Sequence, residues 1–306
     1  MLKNSDKYST MTPQESRVAK QTGRIIAAVR KSKGLTQGSI ASQLAVSQSA
    51  LSKIEHGLLI PSVHQWFEFC KFTGVPVDSH LSGYIDYSRP VVKTTGSHEG
   101  SFRLPKPYSI ERASTTRTML PLIKWLERNE GEEKAEEVLS QMGIDSDYFV
   151  QLDHTIGIQF GLDLIAYLQR RGIYSKDGMR SLFQSIKQRG FHGSLWTGYE
   201  QTHDSVELMT LLLSRATFYE ANFEYLIEAQ NKQGVDFSSK PGTHFKEIKT
   251  LANHDARFSI CEHRKAYFTQ MIESSMSHSQ PIEVTELECS FHGAQRCIFR
   301  MRMGAL

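Results

Sequence analysis

The chain has 306 residues, about two domains at roughly 150 residues each. Its 39% hydrophobic, 23% charged and 10% aromatic content can bury a sizeable core and excludes a disordered or collagen-like chain. The formal charge of +3 is unevenly spread, with 14 Lys and Arg against 7 Asp and Glu through Pro107 and 22 against 26 beyond it, so a basic N-terminal segment points to a polyanion such as nucleic acid. No apolar run approaches the roughly 20 residues of a membrane span. The first 20 residues, MLKNSDKYSTMTPQESRVAK, lack an apolar signal core. We therefore expect no membrane partner and a cytoplasmic protein whose four cysteines are reduced thiols.

From about Glu15 to Ser32, Ile25, Ile26 and Val29 with Ala27 and Ala28 predict an amphipathic helix ended by Gly34. Thr36 caps a second helix from Gln37 to about Leu44, Ala45-Val46 makes a corner, and Ser47 caps a third helix through about Glu55, ended by Gly57. Ile40, Leu44, Val46, Leu51 and Ile54 fall inward, and small Ala41 lets the axes approach. Gln48, Ser49, Ser52 and Lys53 stay outside, as a recognition helix requires. After Pro61, the residues Trp66, Phe67, Phe69, Cys70 and Phe72 read as the closing core of this small domain, with Cys70 a buried thiol.

The segment RIIAAVRKSKGLTQGSIASQLAVSQSALSKIEHGLLIPS resembles the helix-turn-helix domain of the lambda-repressor and Cro-like (XRE) family over roughly residues 20 to 80. The resemblance implies that Gln37 begins the scaffold helix and contacts phosphate, that Gln48 and Ser49 are the main base readers, and that Ser52 and Lys53 read bases or fix the register, with the cap Ser47 counted among the DNA-binding residues. It also implies a structural pair between Arg30 and Glu55. One departure is Ala45, where the family has glycine; a left-handed alanine costs roughly 1–2 kcal/mol. A three-helix bundle serving protein contacts would share this core, but the exposed polar set favours DNA.

Between 81 and 107, Pro90, Pro105 and Pro107 with Gly83, Gly96 and Gly100 predict an exposed linker. Beyond it, MLPLIKWLE and EEKAEEVLSQM read as two helices hinged at RNEG. Phe149, Leu152, Ile156, Phe160, Leu164 and Leu168 read as one long amphipathic helix, and DGMRSLFQSIKQRG as a short one. A helix is expected near Arg264 to Met276, followed by strands IEVTELECSF and RCIFRMRM joined by the turn HGAQ as an antiparallel hairpin. The expected architecture is multidomain: an all-α helix-turn-helix head (15–80), a linker (81–107), and a larger α+β domain with a small antiparallel sheet (108–306).

Glu286, Glu288, Cys289, Gly293, Cys297 and Phe299 resemble the ending of ligand-sensing domains related to the four-vinyl-reductase family. That resemblance implies a domain that binds a small, often apolar, molecule and reports its occupancy to an output domain. Trp196, Tyr199, Phe218, Tyr219, Phe223 and Tyr225 are candidates to line its pocket, with an ordinary core as the plainer reading. Cys261, His263, Cys289, His292 and Cys297 leave three readings open: a zinc site, a redox-responsive pair, or structural thiols beside exposed histidines; the spacings are not those of paired CxxC motifs. No organic-cofactor signature is visible. No GxSxG, HExxH or phosphate loop occurs, and Asp153, His154, His192, His203, Asp204 and Asp255 read as surface groups or caps, so no enzyme is expected. The expected function is a sequence-specific transcription regulator, dimeric on double-stranded DNA, sensing a small apolar effector. The alternative is a DNA-associated scaffold that recruits a partner protein.

Overall fold

The computed structural model describes residues 11–87, 89, 91, 94–174, 182, 199, 201–242, 254–275 and 281–304. Two compact units result: one runs to Ile85 and takes in Glu99–Phe102, the other holds Asp86–His98 and everything from Arg103. The first is all helical apart from that short insertion, and the second is α+β with small antiparallel sheets.

In the first unit, α1 (Pro13–Ser32), α2 (Gln37–Gln43), α3 (Gln48–Glu55), α4 (Val63–Thr73) and the single turn α5 (Ser79–Ser82) follow in order. Hydroxyl caps start four of them. Thr12 and Ser62 form capping boxes with Glu15 and Gln65, and Thr36 and Ser47 accept from the backbone N–H groups of Ser39 and Ala50, both at 3.1 Å. Ile25, Ile26, Val29, Ile40, Leu51 and Ile54 close the core between α1, α2 and α3. Gly23 is required there, because a Cβ would lie 2.2 Å from the Ile54 carbonyl oxygen. On α4, Trp66, Phe69 and Cys70 are buried, and burial pushes the Cys70 thiol up to about 11. Phe67 and Phe72 depart from expectation: they are exposed, since a single covered stripe on α4 admits only the 66/69/70/73 face.

Residues 81–107 are not a uniformly exposed linker. Ile85, Phe102 and Leu104 are buried, and strands β1 (His98–Glu99) and β2 (Phe102–Arg103) form a two-stranded turn. Within the first unit, Ser101 donates both N–H and hydroxyl to the Lys31 carbonyl at 2.7 Å, meeting an acceptor at the C-terminal end of α1.

The second unit opens with α6 (Lys106–Ser109) and β3 (Ser114–Thr115), then α7 (Thr116–Glu130) and α8 (Glu132–Gln141), which part at Gly131. The expected continuous helix around residues 149–168 is divided into a 3-10 turn (Ser146–Val150), β4 (Thr155–Ile156) and α9 (Ile158–Arg170). Pairing of β4 with β3, Thr115 opposite Thr155, overrides the helical spacing, while Phe149, Leu152 and Ile156 stay buried. The short helix expected over 177–190 lies outside the described residues, apart from Leu182. Next come α10 (Ser205–Ser214), β5 (Phe223–Asn231), β6 (Gly234–Pro241), α11 (His254–Ser275), β7 (Ile282–Glu288) and β8 (Cys297–Met303). The last four strands make one antiparallel sheet in the order β5-β6-β8-β7, with Val235 opposite Met301 and Val284 opposite Met301 on the other side. Helix α11 covers its inner face: Phe268 meets Phe237 edge-on at 5.3 Å, and Phe237 stacks on Phe299 at 5.2 Å.

Candidate DNA-reading face, apolar cavity and thiol cluster

On the first unit, Gln48, Ser49 and Lys53 lie exposed on α3 and Ser52 is half-buried. Ser47 is spent as the cap of α3. Arg30 grips Glu55 with two bonds, Nε to Oε1 at 2.6 Å and a second guanidinium nitrogen to Oε2 at 3.0 Å. Gln37 donates to the same carboxylate at 2.8 Å, so its side chain braces the pair as well as standing at the start of α2. Ala45 adopts a left-handed φ of 53° at the corner.

The second unit holds a partly open cavity of about 150 Å³ between α7, α9, α10, the start of β5 and α11. Its walls are apolar, with Met119, Leu122, Ile158, Leu162, Leu212 and Phe223 among them. Three of the expected pocket residues, Tyr219, Phe223 and Tyr225, line it. Tyr199 is buried behind it with its hydroxyl bonded to that of Tyr219, Phe218 is half-buried on a neighbouring 3-10 turn, and Trp196 lies outside the described residues. Polar groups enter at few points. Glu220 accepts from the Tyr225 hydroxyl at 3.3 Å, and burial pushes its carboxyl up to about 7 against the opposing pull of Arg264, Tyr225 and Asn222. His263 also lines the cavity; its Nδ1 lies 2.7 Å from the Tyr174 hydroxyl, and burial, with the Arg264 charge, lowers it to about 4, which keeps the ring neutral.

Beside the cavity, Cys261 of α11, Cys289 after β7 and Cys297 opening β8 converge with Glu286 of β7, their ligating atoms all within 4.8 Å of one another. Cys261 Sγ lies 3.8 Å from Cys289 and 4.0 Å from Cys297. A tetrahedral ion with Zn–S bonds of about 2.3 Å holds its sulfurs about 3.8 Å apart. The Cys297 thiol is lowered to about 4, first by the hydrogen bond from Cys261, with Arg264 and Ser290 assisting; Cys261 is raised correspondingly, and burial raises Cys289. Glu286 Oε1 is buried with no hydrogen-bond partner among the described residues, an acceptor that a cation would satisfy. The candidate ligands from sequence are therefore corrected at two positions. His263 faces the cavity and Tyr174, and His292 is exposed in the turn after β7, while the fourth donor is Glu286. Odd spacing places Glu286 and Cys289 on opposite faces of a regular strand; a register shift between Glu286 and Glu288 inserts the extra residue that brings them together.

Three of the groups weighed for catalysis make structural contacts, while His192 lies outside the described residues. Asp153 is bonded to the buried guanidinium of Arg117, which also meets Asp86; His154 stacks on Tyr148; Asp204 caps α10.

Residues 26–79 match the family model described as Helix-turn-helix. The first unit is a helix-turn-helix, DNA-binding domain. No curated protein matches the chain. Among solved structures, the chain is similar to the unliganded Fe(II) H-NOX protein from K. algicida (11% identity over 63% of this chain and 97% of that one, TM-score 0.44). It is also similar to an H-NOX protein from S. oneidensis in the Fe(II)NO state (11%, 62% and 99%, TM-score 0.46) and to a structure described as "Probing the function of heme distortion in the H-NOX family" (13%, 62% and 95%, TM-score 0.43). Two expectations are corrected by these matches. The structures that this chain is similar to are H-NOX proteins and not four-vinyl-reductase-related domains, and the expectation of no organic cofactor is withdrawn, heme being named in the description of one of those proteins. The described residues of this chain nevertheless do not fit a haem. A cavity of about 150 Å³ has the volume that takes one benzene-sized ring, and Arg117 on its wall is already held by two carboxylates.

Proposed function

We propose that the chain is a sequence-specific, dimeric transcription regulator whose second unit senses a small, largely apolar molecule of about one ring in size. The observation that carries this reading is the presence in one chain of a helix-turn-helix head with Gln48, Ser49 and Lys53 exposed on α3 and a largely apolar cavity entered by a few polar groups. Gln48 and Ser49 read base edges, Ser52 sets register, and Lys53, Gln37 and the N-terminus of α3 behind Ser47 hold phosphates. Cys261, Glu286, Cys289 and Cys297 hold a thiolate-preferring divalent ion that ties α11 to the β7–β8 hairpin. Its role is structural, because all four protein positions of a tetrahedral site are filled.

The test is selection of bound fragments from random and genomic DNA by the purified full-length protein, beside a Gln48→Ala, Ser49→Ala double variant. A recurrent palindromic motif lost in the variant is expected. Salt-sensitive binding with no enriched motif, or a motif indifferent to the double change, would sink the assigned reading roles.

A further inference from the structure

Arg264 belongs to both features of the second unit. It is buried, lines the cavity, and packs its guanidinium over the rings of Phe223 at 4.1 Å and Phe299 at 5.1 Å. Phe223 is itself a cavity wall, and Phe299 stands two residues beyond Cys297 on β8. One terminal nitrogen donates to the Ser239 hydroxyl. The other reaches Cys261 Sγ at 3.5 Å and Cys297 Sγ at 3.6 Å. The third nitrogen, Nε, is buried with no hydrogen-bond partner among the described residues. A planar fork of fixed geometry therefore has one terminal nitrogen at the thiol cluster, the other on Ser239, and an Nε–H still to be satisfied.

We infer that Arg264 is a positioning residue that couples the cavity to the thiol cluster, so that a neutral ring bearing an acceptor atom and an ion bound by the thiols each raise the other's affinity. An acceptor in the cavity satisfies Nε and holds the guanidinium where its far edge serves Cys261 and Cys297. An ion holding those sulfurs in place presents Nε to the cavity in return. Linkage makes the two effects equal. A ring without an acceptor fills the same volume but leaves Nε unsatisfied and gains nothing from the ion. This inference rests on the proposed cavity and ion readings and goes beyond them in making the two sites interdependent.

The experiment uses the full-length protein, with metal content measured directly. Zinc affinity is determined by competition with a chromophoric chelator, alone and with saturating benzyl alcohol or its near-isostere ethylbenzene, and the affinity of each compound is measured by calorimetry on zinc-loaded and stripped protein. Benzyl alcohol is expected to tighten zinc binding about fivefold or more, zinc to tighten benzyl alcohol by the same factor, and ethylbenzene to bind with a ratio near one. In Arg264→Met the benzyl alcohol ratio falls to one while ethylbenzene still binds, and Arg264→Lys, which keeps the charge without the fork, falls between. If zinc and benzyl alcohol both bind the native protein with a ratio near one, or if the coupling survives in Arg264→Met, the inference is overturned alone. Failure of zinc to bind overturns it together with the ion reading, and failure of both ring compounds to bind overturns it together with the cavity reading.

Discussion

Ala45 stands at φ 53° in the corner between α2 and α3, where a side chain costs roughly 1–2 kcal/mol relative to glycine. Glycine loosens the unfolded chain by roughly 0.5–1 kcal/mol, so Ala45→Gly is expected to stabilise the head by a net of about 1 kcal/mol, read as slower amide exchange in α2 and α3 of the full-length protein. Unchanged or faster exchange would mean the corner is not strained. Glu220 gives the second residue-scale expectation. Burial raises its carboxyl from 4.5 to about 7, so the folded state keeps a proton that the unfolded chain has already lost. Stability linked to this group is greatest below pH 4.5 and declines as pH rises through about 7. The Glu220→Gln variant should lose that decline across the same window in urea titrations; an identical slope would remove Glu220 as its source.

At the scale of elements, α7 meets α9 at Gly161, where a Cβ would lie 2.9 Å from Met119 Sδ and 3.2 Å from its Cε. Both residues line the cavity. The thioether is the flexible end of its side chain, so Gly161→Ala is expected to push it into the open volume at little net cost, the better helix propensity of alanine offsetting about 1 kcal/mol of crowding. Thermal stability should change little while stabilisation by benzyl alcohol shrinks. Undiminished ligand stabilisation would place the binding volume elsewhere. The hairpin of β7 and β8 was legible from its alternation and turn, but β6 was not: Ser238 and Ser239 look polar in sequence and, on opposite faces of the strand, are buried only because β5 and β8 flank them, Ser238 bonding Glu228 and Ser239 accepting from Arg264.

For the whole molecule, a single helix-turn-helix head reads only a short half-site, and a symmetric pair places two recognition helices about one DNA turn apart. Sedimentation of the protein–DNA complex is expected to show two chains of 34.8 kDa each, with protected half-sites centred about 10 base pairs apart. One chain per site would refute the dimeric reading. If DNA binding by the intact protein is indifferent to every cavity ligand while a protein partner is captured, the scaffold alternative takes precedence.

Local chemistry determined the head from sequence alone. Hydroxyl caps at Thr36 and Ser47, the stops at Gly34 and Gly57, and a 3.6-residue apolar pattern all act within a few residues, so short windows carried α1 to α3 and the exposure of Gln48, Ser49 and Lys53, though not of half-buried Ser52. The Arg30–Glu55 contact, 25 residues apart, was reachable only through the family pattern. The sensing unit was decided by tertiary structure. Helical spacing could not reveal that β4 would pair with β3 and cut a predicted helix in two. Strand alternation could not place Glu286 beside Cys289, because a bulge set by pairing with β8 changes the parity. Arg264, one charge in an unremarkable helical stretch, acquired its position only when α11 packed its length against the sheet and brought cavity and thiols to the two sides of a single guanidinium.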